Sequence, residues 1–360
     1  MGALHRQVGA HDRHENFRRI GAAKRTPEKV RLRAGPRGGG CKGSTRQKLE
    51  MMAYPRSRDF LGDSTARTLV AGDLDAVFLP DHGMLGASLR YKGVEFLRRV
   101  EDLESAAAKG SSAGIPLLHP WANRLAEPRY RVLGQEVVLD KSSPLLHFDE
   151  HGFPMHGVPW PLLRWVVREA RQDFMAAQLD WLSSDLLALF PFRHRVELAV
   201  TLRPDGLTLE TTVVASSEGP VPVSFGFHPY FGFAEPSRAS WHLELPAMRK
   251  LLLDRRGIPT GEEERFAGFN DELGDNSFDD GFALTEERTT FSVAGANYKI
   301  RVELLAGYQY AQVFAPKDKD FIALEPMTAP TSALASGRGL RFVPPGERFQ
   351  AVFRIRIDRA

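Results

Sequence analysis

The sequence predicts an all-β fold, and three observations carry that prediction. Apolar and polar residues alternate over long runs. Val196, Leu198, Val200 and Leu202 alternate with Glu197, Ala199 and Thr201; Phe353, Ile355 and Ile357 alternate with Arg354, Arg356 and Asp358. A period of two is the signature of a half-buried strand. Short apolar runs also recur between turn residues, which suggests a sandwich or barrel. There is no βαβ alternation of the kind a parallel sheet needs, and no internal repeat.

The strands follow from Thr68 onward. Thr68 to Ala71 and Ala76 to Leu79 flank Gly72 and Asp73, and Leu85 to Leu89 and Val94 to Leu97 flank Lys92-Gly93. Asp102 to Gly110 is alanine-rich and reads as a helical turn or two. Pro116 and Pro120 forbid a regular helix or central strand in the next stretch, so Gly114 to Leu125 reads as an ordered loop. Strands resume at Tyr130 to Leu133 and Val137 to Leu139, with Gly134 between them. His147 to Trp160 is a second loop, with His147, His151 and His156 among glycines and prolines. Imidazoles suit several metals, but no carboxylate or thiol motif completes a site, and none is expected.

Trp165 to Val167, Phe174 to Trp181 and Val196 to Leu202 follow as strands. Asp205-Gly206 is a hairpin signal, and Leu207 to Val214 returns. Trp241 to Leu245 alternates again. Thr260 to Ser277 is acidic and reads as loop. Tyr298 to Leu304, Tyr310 to Phe314, Phe321 to Glu325 and Phe349 to Asp358 complete the set, with Glu325 closing its strand.

Composition narrows the function. The chain has 360 residues and an apolar share of 42%, ample for a sizeable core. No apolar run approaches the roughly 20 residues of a membrane span, and no apolar stretch follows the basic N-terminus as in a secretory signal. A soluble, cytoplasmic protein is expected. One cysteine, Cys41, excludes an internal disulfide. Residues 1–50 hold 13 of the 48 basic and 4 of the 45 acidic residues, which leaves 35 basic against 41 acidic in residues 51–360. The basic balance therefore belongs to the tail, and the body has no basic face that suits nucleic acid.

Residues 1–50 read as a disordered basic extension, or as a stretch upstream of a true start at Met51 or Met52. A nucleic-acid arm and a transit peptide compete, with Asp12, Glu15 and Glu28 against the latter. Residues 51–360 read as a single domain.

The heptad Phe225-Gly226-Phe227-His228-Pro229-Tyr230-Phe231 stands out. It places one histidine among four aromatics where a strand meets a turn. An imidazole there suits proton transfer near neutral pH; the competing reading is a histidine satisfied within an aromatic core. Other polar groups sit beside aromatics or prolines: Asn123-Arg124 after Trp121, His156 before Trp160, Asp279 within FDDGF, and Glu325 before Pro326. An acid, a base, an arginine and aromatic faces suit a neutral polyhydroxylated ligand.

The ordered set GIPLLHPWANRL (114–125), HG (156–157), GFHPYF (226–231), FDDGF (278–282), YAQVFAP (310–316), ALEPMTAPTSAL (323–334) and PPGE (344–347) resembles the aldose 1-epimerase, or galactose mutarotase, family. The resemblance implies a β-supersandwich and cofactor-free interconversion of the α and β anomers of a sugar, by a monomer or homodimer. It implies Glu325 as the base on the anomeric hydroxyl and His228 as the acid on the ring oxygen. Arg124 and His156 would bind hydroxyls, with Asn123 beside Arg124, and Asp279 rather than Asp280 would hold distal hydroxyls. A neighbouring arginine is expected to keep Glu325 ionised, and a nearby carboxylate to favour protonated His228.

Two departures from the family pattern, His119 and Thr331-Ser332, are expected near the pocket, where they bear on which sugar is taken. The alternatives are a hexose-6-phosphate 1-epimerase using Arg90, Lys92, Arg98 and Arg99, a sugar-binding protein without turnover, and a glycosidase using Asp279 and Glu325 as paired carboxylates.

Overall fold

A computed structural model describes residues 65–98, 113–295 and 297–360. The expectations for residues 1–50, Cys41, Arg99 and the helical turn at 102–110 lie outside the described residues.

Antiparallel strands dominate, in two large sheets. The nine-stranded sheet runs in the order Val166–Ala170, Phe174–Trp181, His194–Arg203, Gly206–Ala215, Arg348–Arg359, Tyr298–Ala306, Thr289–Gly295, His242–Leu245, Phe269–Glu272. Its long strands keep the predicted alternation. Val196, Leu198, Val200 and Leu202 are buried, and so are Phe353, Ile355 and Ile357. The alternate positions carry charges that pair across strands. Arg354 stands opposite Glu303, with Nε 2.6 Å from the carboxylate. Such half-exposed pairs contribute ~1 kcal/mol or less each, so burial of the other face is what holds the sheet.

The second sheet has eight strands. Pro259–Phe266, Met248–Leu253, Phe278–Ala283, Tyr310–Ala315, Ile322–Met327, Gly226–Phe227 and Leu117–Leu118 lie side by side, and Tyr230–Phe231 adds to Ile322–Met327. One face packs on the nine-stranded sheet. Phe227 meets Phe353 at a ring separation of 5.1 Å, and Ile322, Leu324, Val313 and Phe282 lie in the same core with Trp121, Trp181 and Trp241. Each such fully buried side chain contributes roughly 1.5–3 kcal/mol relative to exposure. Successive side chains of a strand point to opposite faces. With Phe227, Leu324 and Val313 facing inward, His228, Glu325 and Gln312 must face outward.

Two expectations need correction, and a helix adds to the set. The acidic stretch from Thr260 is not a loop: Pro259–Phe266 and Phe269–Glu272 are strands at the edges of the two sheets. An edge strand tolerates solvated carboxylates because one side of its backbone is unpaired. Glu325 lies within Ile322–Met327 rather than at a strand end. A short helix, Ser184–Leu189, capped by the Ser183 hydroxyl accepting from the Leu186 N–H, fills a stretch given no element above. The turns at Lys92-Gly93, Leu133-Gly134 and Asp205-Gly206 form as expected, with Lys92, Leu133 and both flanking glycines in the left-handed region.

Candidate active site

The outward face of the eight-stranded sheet assembles the polar groups by register. Gly281 is opposite Gln312, and Gln312 is opposite Glu325. On the other side of Glu325, Gly226 pairs with Met327 and Tyr230 with Ala323, which brackets His228 opposite Glu325. One row thus crosses three strands, at Gly281, Gln312 and Glu325, and reaches His228 in the break between Gly226–Phe227 and Tyr230–Phe231. Pro229 has no N–H to donate, and the His228 N–H donates instead to the Pro116 carbonyl. The ladder is interrupted there and the imidazole turns to its neighbour. His228 Nε2 lies 3.1 Å from Glu325 Oε1, and both side chains are almost fully buried.

Residues from the two loops close over the row. Asn123 and His156 both adopt positive φ, 56° and 61°. Such conformations in non-glycine residues cost energy and cluster at functional sites. The two lock each other: the His156 N–H donates to the Asn123 carbonyl, and the Asn123 N–H donates to His156 Nδ1. With Nδ1 accepting, the proton of the neutral His156 ring sits on Nε2. Burial, with Arg124 and His147 adding, lowers His156 to about 3, so it is a neutral donor. Its ring meets His228 edge-on at 5.6 Å. Asn123 Oδ1 accepts from the Arg124 backbone N–H at 2.8 Å. Arg124 Nε donates to Asp149 Oδ2 at 2.8 Å. Asp279 Oδ1 accepts from Gln312 Nε2 at 2.7 Å, while Asp280, on the opposite face of its strand, pairs with Lys250.

All six expected site residues therefore gather on one surface: His228 and Glu325 in contact, Asn123, Arg124 and His156 as a bonded loop cluster, and Asp279 through Gln312. Three groups join them that had no assigned role. Gln312 was legible in principle, since it shares a strand face with Tyr310 and Phe314 inside a motif already singled out. Tyr230 stacks on His228 at 4.2 Å, with its hydroxyl 3.2 Å from Nε2. Asp149 also accepts from the backbone N–H groups of His151 and Phe153. No periodicity marks Asp149, because it sits in a loop.

Electrostatics correct one expectation. Burial pushes Glu325 well above the usual carboxylate range, and Asp279 adds to that while Arg124 opposes it. Burial pushes His228 well below the ordinary imidazole value, with His156 adding to it. Desolvation outweighs the arginine because both groups are shut away from water. The pair is best described as two groups sharing one proton, with burial favouring the uncharged arrangement.

The departures resolve differently. His119 is a core residue: its ring packs on Trp181 at 5.0 Å, and its Nε2 is 2.9 Å from His194 Nε2. Its carbonyl, not its ring, serves the loops by accepting the Val158 N–H. Ser332 adopts a φ of 62° and its hydroxyl accepts the Ala126 N–H. Thr331 and Ser332 line a cavity beside the row. Among the described residues, His147, His151 and His156 do not join into a group of three ligands able to hold a metal. Of the basic set named for a phosphate, Arg90 pairs with Asp75 and Lys92 with Asp73, whereas Arg98 lies over the Tyr230 and Phe321 rings, where its charge acts on His228. A larger groove of about 400 Å³, lined by Leu133, Leu187, Phe192 and Glu218 among others, holds no histidine. Chemistry, not size, selects the site.

Comparison with known proteins gives the family and the fold. The family model described as aldose 1-epimerase matches residues 72–356. The uncharacterized protein YihR of Escherichia coli K12 is 24% identical over 263 residues, 67% of this chain and 80% of that protein. A galactose mutarotase-like protein from Clostridium acetobutylicum superposes with a TM-score of 0.72 at 20% identity, covering 82% of this chain and 95% of the other. A galactose 1-epimerase from Lactobacillus acidophilus superposes with a TM-score of 0.65 at 14% identity, covering 81% and 94%. These superpositions show a galactose mutarotase-like fold. No helix among the described residues is long and apolar enough to cross a membrane.

Proposed function

This chain belongs to the aldose 1-epimerase family, and from that premise we propose that it interconverts the α and β anomers of a free hexose by general acid–base ring opening and reclosure. The observation that carries the reading is the buried cross-strand contact of His228 and Glu325, set beside Arg124, His156 and Asp279.

The chemistry conserves one proton. Glu325, ionised, takes the proton of the anomeric hydroxyl. The C1–O5 bond breaks, C1–O1 becomes the aldehyde, and the electron pair goes to the ring oxygen, which takes a proton from His228 Nε2. Glu325 is then protonated and His228 neutral. The aldehyde turns about C1–C2. On reclosure O5 gives its proton back to His228 and attacks C1, and Glu325 returns its proton to O1. No proton is gained or lost, so no cofactor is needed.

The two protonation states of the pair are the two states the reaction needs. Burial favours the uncharged one, which matches the open-chain form. The Arg124 charge, acting on Glu325, favours the ionised one that starts the cycle. Neutral His156, donating through Nε2, and Arg124, fixed by Asp149, hold hydroxyls. Asp279, steadied by Gln312, accepts from distal ones. Keeping the groups in place before the sugar arrives is itself a large part of such catalysis.

Polarimetry tests the proposal. Crystalline α-D-glucose and α-D-galactose are dissolved with and without protein, and the relaxation to the same end point is timed. Acceleration that disappears in His228→Ala and Glu325→Ala supports the reading. Acceleration surviving both removes the assigned pair, and no acceleration of either sugar removes the activity.

A further inference from the structure

The acid of the proposed cycle lacks the bond that usually orients such a group. An imidazole that works through one nitrogen commonly has the other fixed by a carboxylate or a backbone carbonyl. In His228, Nδ1 is buried and makes no well-formed hydrogen bond to any described residue. Yet a working group must be held to within about 0.5 Å of its productive position. Something else has to set the plane of this ring.

Stacking supplies the constraint, and the sequence sets it up. His228 and Tyr230 are two residues apart, so both face outward, and Pro229 between them has a fixed φ. The two rings lie parallel, 9° between planes and 4.2 Å between centroids. The Tyr230 hydroxyl, 3.2 Å from Nε2, therefore stands over the imidazole rather than along its N–H, where a hydrogen bond is weak. Phe314 and His156 meet the imidazole edge-on at 6.1 and 5.6 Å. Tyr230 is braced in turn. Phe321 meets it edge-on at 5.3 Å. Ala323 is its partner on one side; on the other, Leu97 bridges Phe231 and the Arg98 N–H donates to the Tyr230 carbonyl. Leu97 and Phe231 both point into the core, so Arg98 faces outward beside Tyr230. Its guanidinium lies 5.7 Å from the Tyr230 ring centre and 4.7 Å from that of Phe321.

We propose that Tyr230 and Arg98 are positioning residues for the acid: the Tyr230 ring sets the plane of the His228 imidazole in place of a bond at Nδ1, and the Arg98 charge urges the Nε2 proton toward the ring oxygen. The inference rests on the ring-opening reading above. Its electrostatic half has a definite sign. Burial lowers His228 most, His156 and Arg98 add to that, and its own backbone opposes. Glu325, 3.1 Å away on the neighbouring strand, favours the protonated ring when ionised. A positive charge nearby disfavours an imidazolium, so Arg98 makes His228 readier to give its proton up.

The test is polarimetry of α-D-glucose and α-D-galactose with two pairs of variants. Tyr230→Leu removes the ring under His228 and should lower kcat about tenfold or more, with KM moved less than about threefold, because misplacing a reacting group costs rate while the hydroxyl-binding groups stay. Tyr230→Phe keeps the ring and should recover all but about threefold of that loss. Equal losses in the two variants would make the hydroxyl the acting group and overturn the positioning role, as would full activity of Tyr230→Leu. Arg98→Met removes the charge and should move the acid limb of kcat/KM to higher pH by roughly half a unit, short of the about 1–3 units that a contacting charge gives. Arg98→Lys keeps the charge and should leave the limb in place. A limb unmoved in Arg98→Met, or moved equally in Arg98→Lys, overturns the role given to Arg98. A protein that accelerates neither sugar overturns the epimerase reading and this inference with it; an active protein whose variants fail these expectations overturns this inference alone.

Discussion

His228 Nε2 stands 3.1 Å from Glu325 Oε1 with both groups buried, and the sheet register places them directly across from each other. Neither depends on a flexible loop to find the other. Replacing either should slow mutarotation by about 10²–10⁴-fold, the usual weight of a general acid or base. Glu325→Gln and His228→Asn preserve size, so far-ultraviolet circular dichroism should stay unchanged while polarimetry shows the loss.

The pH profile follows from the shared proton. The pair works with one proton and fails with two or none. Burial lowers His228 below its ordinary 6.5 and raises Glu325 above its ordinary 4.5. Uptake of the second proton is thereby pushed to lower pH and loss of the last one to higher pH. The kcat/KM profile should be a bell with a broad plateau through neutrality, its acid limb below 6.5. An acid limb centred at 6.5 or above would mean a solvated, unperturbed histidine controls the rate.

Asp149 acts through Arg124. Although burial opposes it, the Phe153 N–H and the Arg124 guanidinium hold its carboxyl below the usual range. Asp149→Asn keeps a side-chain oxygen to accept the His151 and Phe153 N–H groups but removes the charge that fixes Arg124. A charge-assisted bond contributes about 1.5–3 kcal/mol, so KM should rise tenfold or more with kcat changed much less. Equal losses in the two constants would refute a positioning role.

Gly157 is the spacer that lets His156 reach the site. It has φ +68°, and a Cβ there would stand 2.2 Å from the His119 carbonyl oxygen. Gly157→Ala must both strain the backbone and separate two loops. A loss of roughly 2 kcal/mol or more is expected in urea unfolding, together with reduced activity. A fully stable variant would show that the loops can part.

The His119–His194 pair predicts acid sensitivity of the fold. Burial lowers His119 well below 6.5, with His194 adding, and burial brings His194 to about 4. Below 6.5 the unfolded chain takes up protons that the folded pair does not. Stability should therefore fall as pH drops from 6.5 toward 4, by about 1.4 kcal/mol per pH unit for each histidine. His119→Phe should remove one proton from that uptake, read as a shallower dependence of unfolding free energy on pH. An unchanged slope would place the sensitivity elsewhere.

The sequence by itself determined the all-β class, because burial of one strand face writes a period of two into residues such as Val196 to Leu202 and Phe353 to Ile357. It marked His228 through its aromatic surroundings, and the motif set pointed to Glu325, Asn123, Arg124, His156 and Asp279. It misread Thr260 to Ser277, since edge strands carry carboxylates that look like loop. It also placed His119 near the pocket, where alternation along a chain interrupted by Pro116 and Pro120 gives no guide to which way a ring turns. Only the tertiary structure decided the rest. Strand register, a relation between segments far apart in sequence, sets His228 against Glu325 and adds Gln312 to their row. Loop closure brings Asp149 to Arg124 and gives Asn123 and His156 their left-handed backbones. Desolvation, which exists only once both sheets are packed, reverses the charge states that the arginine and the carboxylate alone would favour.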